Sequence, residues 1–399
     1  MRGLRLLVWL AAALVVLGIG VGLAFKDNIS RLLTVNSLFD ADRIVANFSG
    51  MDQAFLTRTL DVETRDDLQG QSLPLPATVT ILDREYDTAE LLDELDTTGF
   101  VILRDGAIIH ESYYRGTGPD DRRISWSVAK SFMSGLYGEA LESGAIDSLD
   151  DPVTRYVPEL EGTAYDGATL RNILNMSSGI RFNEDYMDAS SDINAMARTI
   201  ALGGSLDQYT TGLSERQFEP GTDWQYVSMD THVAAWALRR ATGKDLHTLW
   251  EATYGSLGFR QPPYYLTDGD GVAFALGGLN LTTRDYAKFG QLFLQEGEWQ
   301  GERLIPADWV RASTRHSAPA VSDRGVGYGY QWWVPMPEQG DYFAVGIYGQ
   351  YVYIDPARNI VIAKNAADRE FAYADEVGTH SMLKNIAMMR SLSEQLGNP

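Results

Sequence analysis

The sequence contains no cysteine, and this absence excludes several kinds of chemistry. Disulfides, thiolate nucleophiles, cysteine-ligated zinc, iron–sulfur clusters and the lipid anchor of lipoproteins all require that side chain. Basic residues are also few, because 33 Lys and Arg stand against 54 Asp and Glu, which gives a formal net charge of -21. A chain of this charge is repelled by a phosphate backbone, so we expect no nucleic-acid partner.

Histidine is scarce, and the few that occur lack the close spacing of metal ligands. The five are His110, His232, His247, His316 and His380. We therefore expect no metal ion and no cofactor. The composition is otherwise that of a globular protein, with 45% hydrophobic and 22% charged residues, and 399 residues are enough for two or three structural units.

The longest uncharged apolar run covers residues 6–25, and as a helix it would be roughly 30 Å long, enough to cross a bilayer. Arg2 and Arg5 precede it, which favours a cytoplasmic N-terminus and export of the rest. We predict a transmembrane anchor over residues 1–26, in the inner membrane, with a periplasmic domain. A cleaved signal peptide, with secretion to the periplasm, is the alternative because Gly22-Leu23-Ala24 offers small residues at a cleavage site. A buried core helix is a third interpretation.

The remaining pattern predicts a wrapping segment with short helices over residues 27–97 and one folded domain over 98–399. An Asp105-Gly106 turn between two β-rich runs predicts a hairpin, and a helix is expected from Ser127 to Ser143. Further strands are predicted over 328–334, 342–348, 351–354 and 359–363, and helices over 231–241, 283–295 and 377–396. The expected fold class is α+β, an antiparallel sheet of hairpin and C-terminal strands flanked by helices, with a mainly helical region inserted at about 125–320.

Three short stretches could carry chemistry, and the first is Ser127-Val-Ala-Lys130. At a helix start this spacing brings a hydroxyl and an amine to the same face, where a desolvated lysine can act as the base for the serine. The motif alone is weak, since an N-cap serine on a surface helix would look the same. A second match, Ser381 to Lys384, lies in the terminal helix and is interpreted as coincidence.

The second stretch runs from Pro220-Gly221 to Tyr226 and Ser228, and the third contains Gly346 and Gly349. A tyrosine beside a cationic lysine could carry a proton, although an aromatic packed under a loop is the commoner case. A strand edge with two glycines permits close approach of a substrate and could offer an N–H to an oxyanion, or could simply be a bulge.

The three stretches follow one another in an order that resembles the serine hydrolases with a β-lactamase and penicillin-binding-protein fold. The sequence is most similar to the 6-aminohexanoate-dimer hydrolase branch of that family and its esterase relatives. The resemblance covers about residues 100–395. It is carried by Ser127-Val-Ala-Lys130-Ser-Phe, Asp151-Pro-Val-Thr-Arg-Tyr-Val-Pro-Glu-Leu160, Asn183-Glu-Asp-Tyr186, Gln225-Tyr226-Val-Ser228, Phe274-Ala-Leu-Gly-Gly278, Gln331-Trp-Trp333 and Gly346-Ile-Tyr-Gly-Gln350.

The resemblance implies that Ser127 is the acylated nucleophile, Lys130 its base and Tyr226 a proton shuttle. It also implies an oxyanion hole formed by the backbone N–H groups of Ser127 and Ile347. The substrate-binding residues that it implies are Tyr186, Ser228, Gly346 and Tyr348.

One departure concerns the lysine that β-lactamases carry in a Lys-Thr-Gly triplet, where this chain has Ala344-Val345-Gly346. Without that cation, a small ester or linear amide is a more plausible substrate than a lactam. Another is Tyr348, where nylon-dimer members tend to have histidine; with the apolar Leu276 facing the cleft, it leaves activity on that dimer open. The alternatives are a penicillin-binding D-Ala-D-Ala carboxypeptidase or β-lactamase, and a non-catalytic envelope binding protein. No sequence feature indicates an oligomeric state.

Overall fold

A computed structural model describes residue 9 and residues 26–319, 325–372 and 379–397. In these residues the strands, β1 to β15, are Thr57–Thr59, Thr78–Ile81, Arg84–Asp87, Thr97–Arg104, Ala107–Tyr113, Arg123–Ile124, Tyr264–Leu266, Leu279–Leu281, Glu298–Trp299, Glu302–Arg303, Val326–Tyr328, Trp333–Pro335, Tyr342–Gly346, Gln350–Asp355 and Ile360–Ala366. The α-helices, α1 to α14, are Lys26–Asn36, Ile44–Ser49, Met51–Ala54, Thr88–Glu94, Val128–Glu142, Val153–Tyr156, Leu170–Leu174, Asp192–Ala201, Leu206–Thr211, Ser228–Thr242, Leu246–Tyr254, Thr283–Leu294, Ala307–Ser313 and Thr379–Leu396.

The main sheet has seven antiparallel strands in the order β11-β12-β13-β14-β15-β4-β5. The predicted N-terminal hairpin and the C-terminal strands therefore share one sheet, which confirms the expected fold class. Asp105 and Gly106 both have positive φ angles, 51° and 79°, as the tight turn of a hairpin with right-handed twist requires.

Alternate residues of each strand face opposite sides of this sheet and enter two separate cores. Val352 and Ile354 of β14 belong to the larger core, together with Phe289 of helix α12. Tyr351 and Tyr353 point the other way, into the core that contains Met388 of the C-terminal helix α14. The sheet is thus a layer between helices, and β13 contacts helix α5 of the inserted region.

The inserted region contains the expected helices, but two of its strands also join β1 and β6, which precede it, in a small sheet that the sequence pattern did not reveal. Strands β1, β7, β8 and β6 form this four-stranded sheet in that order. They have only two or three residues each, too few for a period-two pattern to stand out. The predicted division of the chain at residues 26, 97 and 125–320 stays a prediction.

The strand predicted over residues 328–334 is wrong, because the chain leaves the sheet between β11 and β12. The carbonyls of Tyr330 and Gln331 turn to helix α5, where they accept hydrogen bonds from Ser134 and Ser131 at 2.6 and 2.7 Å. Gln331 has a φ of 66°, which ends the extended conformation. The apolar, β-forming residues of this stretch favoured one continuous strand. In the structure the hydroxyls of Ser131 and Ser134 hold a loop there instead.

The N-terminal part of the described chain forms three short helices, α1 to α3. Helix α1 packs against α8, and Arg31 donates to the carbonyl of Ala201 at 3.0 Å. None of the helices described is both long enough and apolar enough to cross a membrane. The anchor predicted over residues 1–26 lies, apart from Trp9 and Lys26, outside the described residues.

Candidate active site

The start of helix α5 places Ser127 in a tight turn after strand β6. Trp126 has a φ of 42°, an uncommon conformation for a bulky residue, and Ser127 follows with φ -66° and ψ -5°. Such backbone conformations cost of the order of 1–3 kcal/mol and concentrate at functional sites. The turn sets the Ser127 hydroxyl at the helix N-terminus, whose free N–H groups and dipole favour negative charge.

Lys130 lies one helical turn later and is buried, with 1% of its surface exposed. Its Nζ is 2.9 Å from Ser127 Oγ, 3.1 Å from Ser228 Oγ and 2.8 Å from the carbonyl oxygen of Leu276. Burial lowers the pKa of Lys130 to about 7, although the negative charges of Glu184 and Asp230 oppose this shift. A large fraction of this lysine is therefore uncharged at neutral pH, in direct contact with the serine.

Two acidic side chains tune the field at the lysine. Glu184 accepts hydrogen bonds from the backbone N–H of Ser228 and from the hydroxyl of Tyr186. Burial raises the pKa of Glu184, and it raises the pKa of Asp230 to about 8. Asp230 accepts from two buried hydroxyls, so its position in the first turn of α10 is fixed. Negative charge on either carboxyl raises the pKa of Lys130, but near neutral pH Asp230 is mostly protonated, so this effect falls chiefly to Glu184.

Tyr226 reaches the same point from the loop before helix α10. Its ring stacks on Trp333 with 5.6 Å between centroids, and Lys130 Nζ lies 5.2 Å from the centre of the Tyr226 ring. Burial raises the pKa of Tyr226, and an interaction with the Ser127 hydroxyl opposes that rise. The phenol is therefore neutral near pH 7 and holds a proton beside the nucleophile.

The end of strand β13 packs directly on the nucleophile turn. A Cβ placed on Gly346 would lie 2.4 Å from the carbonyl oxygen of Ser125 and 3.1 Å from the backbone N of Ser127. Gly346 was predicted to leave room for a substrate; in the structure it leaves room for the protein's own turn. The next residue, Ile347, is thereby placed beside Ser127. Within the described chain neither backbone N–H has a protein acceptor, so both can donate to an oxyanion.

The side chain of Gln350 holds the turn that contains Ile347. Its Nε2 donates to the carbonyls of Tyr348 and Ala366 at 3.1 and 2.9 Å, and more weakly to that of Ile347 at 3.4 Å. Its Oε1 accepts from Asn365 Nδ2 at 3.1 Å. A buried amide thus ties this turn to strand β15.

The resemblance implied that Tyr348 lies on the cleft, but in the structure it does not. Its ring is buried and stacks on Phe39 with 4.5 Å between centroids, and it is absent from the residues that line the cavity. Its φ of 59° turns the side chain away from the nucleophile and toward the N-terminal helices. Tyr348 is therefore a packing residue and not the substrate contact that the resemblance implied.

A cavity of about 260 Å³ opens at Ser127. Tyr186, Ser228 and Ile347 line it together with Ser127, so three of the five predicted substrate and oxyanion neighbours are brought to one space. Most of the other lining side chains are apolar. In the described part of the chain no cluster of three His, Asp or Glu side chains could hold a metal ion.

A family model described as Beta-lactamase matches residues 89–377, nearly three quarters of the chain, and this range includes Ser127, Lys130 and Tyr226. The chain belongs to the beta-lactamase family. It is 34% identical over 293 residues to the 6-aminohexanoate-dimer hydrolase of Paenarthrobacter ureafaciens, which covers 70% of this chain and 74% of that protein. Beta-lactamase family members of this kind are hydrolases, and the chain is a hydrolase related to them.

Solved structures of this beta-lactamase fold agree with the architecture. A Bacillus anthracis protein provisionally described as a 6-aminohexanoate-dimer hydrolase superposes with a TM-score of 0.77 at 24% identity, covering 90% of this chain and 96% of that one. A D-stereospecific amidohydrolase from Streptomyces gives a TM-score of 0.56 at 22% identity, covering 73% and 98%. At these identities the likeness shows the fold alone.

Sequence reasoning missed three contributors to the site. Glu184 stands in the Asn-Glu-Asp-Tyr motif that was singled out, but its link to Ser228 needs a contact across 44 residues. The Leu276 carbonyl holds Lys130 through the backbone, which no side-chain pattern reveals. The N-terminal helices lie outside the resemblance, and only the apolar residues in and between them, such as Leu38 and Phe39, could have indicated a buried face.

Proposed function

We propose that the protein cleaves esters or linear amides through an acyl-enzyme on Ser127, with Lys130 as the base and Tyr226 as the proton shuttle. The observation that carries this proposal is the 2.9 Å contact between Ser127 Oγ and a buried lysine whose pKa burial lowers to about 7. A lysine in this state can accept a proton from serine without a histidine.

In the first step, uncharged Lys130 takes the Ser127 proton as Oγ attacks the carbonyl carbon. The negative charge that forms on the carbonyl oxygen faces the N–H groups of Ser127 and Ile347. Tyr226 donates its phenolic proton to the departing alkoxide or amine and regains one from Lys130, which leaves the base uncharged. Water then attacks the acyl-enzyme in the same manner, and release of the acid restores Ser127.

The alternatives receive less support. On strand β13 the position of the lactamase lysine is held by Ala344, which is 1% exposed, so that strand offers no cation for an antibiotic's carboxylate. A non-catalytic binding protein would not need to bury Lys130 against Ser127, since an unneutralised buried amine is costly. Nitrocefin hydrolysis or stoichiometric labelling by a fluorescent penicillin would instead favour the lactam-directed function.

Replacement of the nucleophile tests the proposal. Ser127→Ala should abolish p-nitrophenyl acetate hydrolysis and labelling by a fluorophosphonate probe. Ser143→Ala is the matched control, because Ser143 is exposed at the opposite end of the same helix. Equal labelling of the Ser127→Ala and wild-type proteins would refute the assignment.

We also propose, from the sequence, that residues 6–25 anchor the protein in the inner membrane with its catalytic domain in the periplasm. Small-molecule substrates would then be met outside the cytoplasm. Fractionation of expressing cells tests this: the full chain should stay with carbonate-washed membranes, whereas a chain from residue 27 onward should not. Release of a mature protein that begins near residue 25 would instead establish a cleaved signal.

A further inference from the structure

The N-terminal helices, which precede the family match, form one wall of the active-site cavity. Val35 of α1, Leu38 and Phe39 after it, and Met51 of α3 all line the space that opens at Ser127. The rest of the lining includes apolar side chains of α8, against which α1 packs, and of the segment around Leu276. Residues outside the shared family region thus complete this cavity with hydrophobic surface.

Charge is scarce along the lining. Among the described lining residues no Asp or Glu occurs. The single charged residue among them is Arg198, which donates to the carbonyl of Ala189 at 2.8 Å. An ammonium group on a substrate would lose its hydration in this cavity without gaining an acidic partner, which is unfavourable. An uncharged hydrocarbon chain would instead exchange water for apolar contacts.

From these observations we propose that the cavity is an acyl pocket, partly built by the N-terminal helices, that selects esters with an uncharged apolar acyl chain of medium length. The volume of about 260 Å³ lies just below the roughly 300–1,000 Å³ of sites that enclose drug-sized ligands. It therefore has room for an acyl chain of medium length. This inference rests on the proposed function, because the pocket matters only if Ser127 is acylated.

Deletion of the N-terminal helices would not test the pocket cleanly. Phe39 stacks on Tyr348 and also contacts Trp126, with 5.8 Å between the latter ring centroids. These two residues flank the oxyanion N–H groups of Ile347 and Ser127. Loss of the helices would disturb catalysis on every substrate, so single substitutions that fill the cavity are the sharper probe.

The first measurement is kcat/KM of the wild-type protein for p-nitrophenyl esters from acetate to decanoate. Each methylene that becomes buried should raise kcat/KM by up to about fourfold. We expect a rise of at least tenfold from acetate to a maximum between butanoate and octanoate, then a fall when the chain exceeds the cavity.

Substitutions in two separate helices of the lining then locate the pocket. Val35→Trp should lower kcat/KM for octanoate at least tenfold more than for acetate, whereas Leu33→Trp, on the exposed face of the same helix, should leave the wild-type profile. Ala197→Phe provides a second, independent filling from α8. Its matched control is Ala195→Phe, because Ala195 is equally half-buried on that helix but does not line the cavity.

A flat or falling wild-type profile would overturn the acyl pocket, and so would filling variants that behave like their controls. Both results are compatible with an intact proposed function if acetate hydrolysis still depends on Ser127. Ester hydrolysis that survives Ser127→Ala would instead refute the proposed function itself. If one filling variant does not fold, the acyl-chain profile of the other filling variant decides between these outcomes.

Discussion

The burial of Lys130 makes the pH dependence of Ser127 acylation a direct test of its role. With a pKa of about 7, the uncharged fraction of Lys130 rises from about a tenth at pH 6 to about nine tenths at pH 8. The acylation rate should therefore increase about tenfold over this range and level off above it. A solvated lysine, with a pKa near 10.4, would give about a hundredfold increase with no plateau.

The Glu184→Gln substitution should shift the pKa of Lys130 in a defined direction. The Glu184 carboxylate raises the pKa of Lys130, so its removal should lower that pKa and move the acid limb to lower pH. The ratio of rates at pH 8 and pH 6 should then be smaller than in the wild-type protein. Glutamine can still accept from the N–H of Ser228, so the loop geometry is retained.

The assay is the rate of labelling by an uncharged fluorophosphonate between pH 5.5 and 9. Glu215→Gln is the control, because Glu215 is exposed and pairs with Arg181 at the surface. A wild-type rate that continues to climb tenfold per unit above pH 8, or an acid limb that moves to higher pH in Glu184→Gln, would refute the assignment of Lys130 as the base.

Three further predictions concern the proton shuttle, the oxyanion turn and the cost of the base. Tyr226→Phe should lower kcat for an alkyl ester about 10²- to 10⁴-fold, and less for a p-nitrophenyl ester whose leaving group needs no proton; equal loss on both would contradict a general acid. Gln350→Glu should reduce kcat but not raise KM, since a carboxylate cannot donate to the turn carbonyls; a rise in KM alone would contradict positioning. Lys130→Met should be more stable than the wild-type protein in urea unfolding, and this gain should be about 3 kcal/mol larger at pH 7 than at pH 9.5. The lowered pKa of folded Lys130 costs the wild-type protein stability at pH 7, and this cost falls as the pH approaches the pKa of the unfolded state. A stability difference between the two proteins that does not change with pH would contradict the lowered pKa.

The proximity of Ser127, Lys130 and Tyr226 could be predicted from the sequence because each residue lies in a short contiguous motif. Ser127 and Lys130 are one helical turn apart, so their contact is local. Tyr226 follows a Pro-Gly turn that marks a loop. The hairpin at Asp105-Gly106 was predictable for the same reason, since two residues with positive φ specify the connection.

What could not be predicted depends on contacts between distant residues. The hydrogen bond from Lys130 to the Leu276 carbonyl spans 146 positions, and carbonyls carry no sequence signal. The resemblance implies that Tyr348 lies on the cleft, but its positive φ directs the side chain elsewhere. The orientation of a turn residue depends on one dihedral angle, which apolar patterning does not specify.

Aromatic side chains of the N-terminal segment stabilise two backbone turns with unfavourable conformations at this site. Trp126 and Tyr348 both have positive φ, at a cost of the order of 1–3 kcal/mol each. Phe39 and Phe48 each contact both rings, giving four aromatic pairs with centroids 4.5 to 5.8 Å apart. Such pairs contribute about 0.5–1.5 kcal/mol each beyond burial, a total comparable to the strain. The N-terminal segment, which the sequence predicts to wrap around the domain, therefore stabilises the two turns that position Ser127 and Ile347.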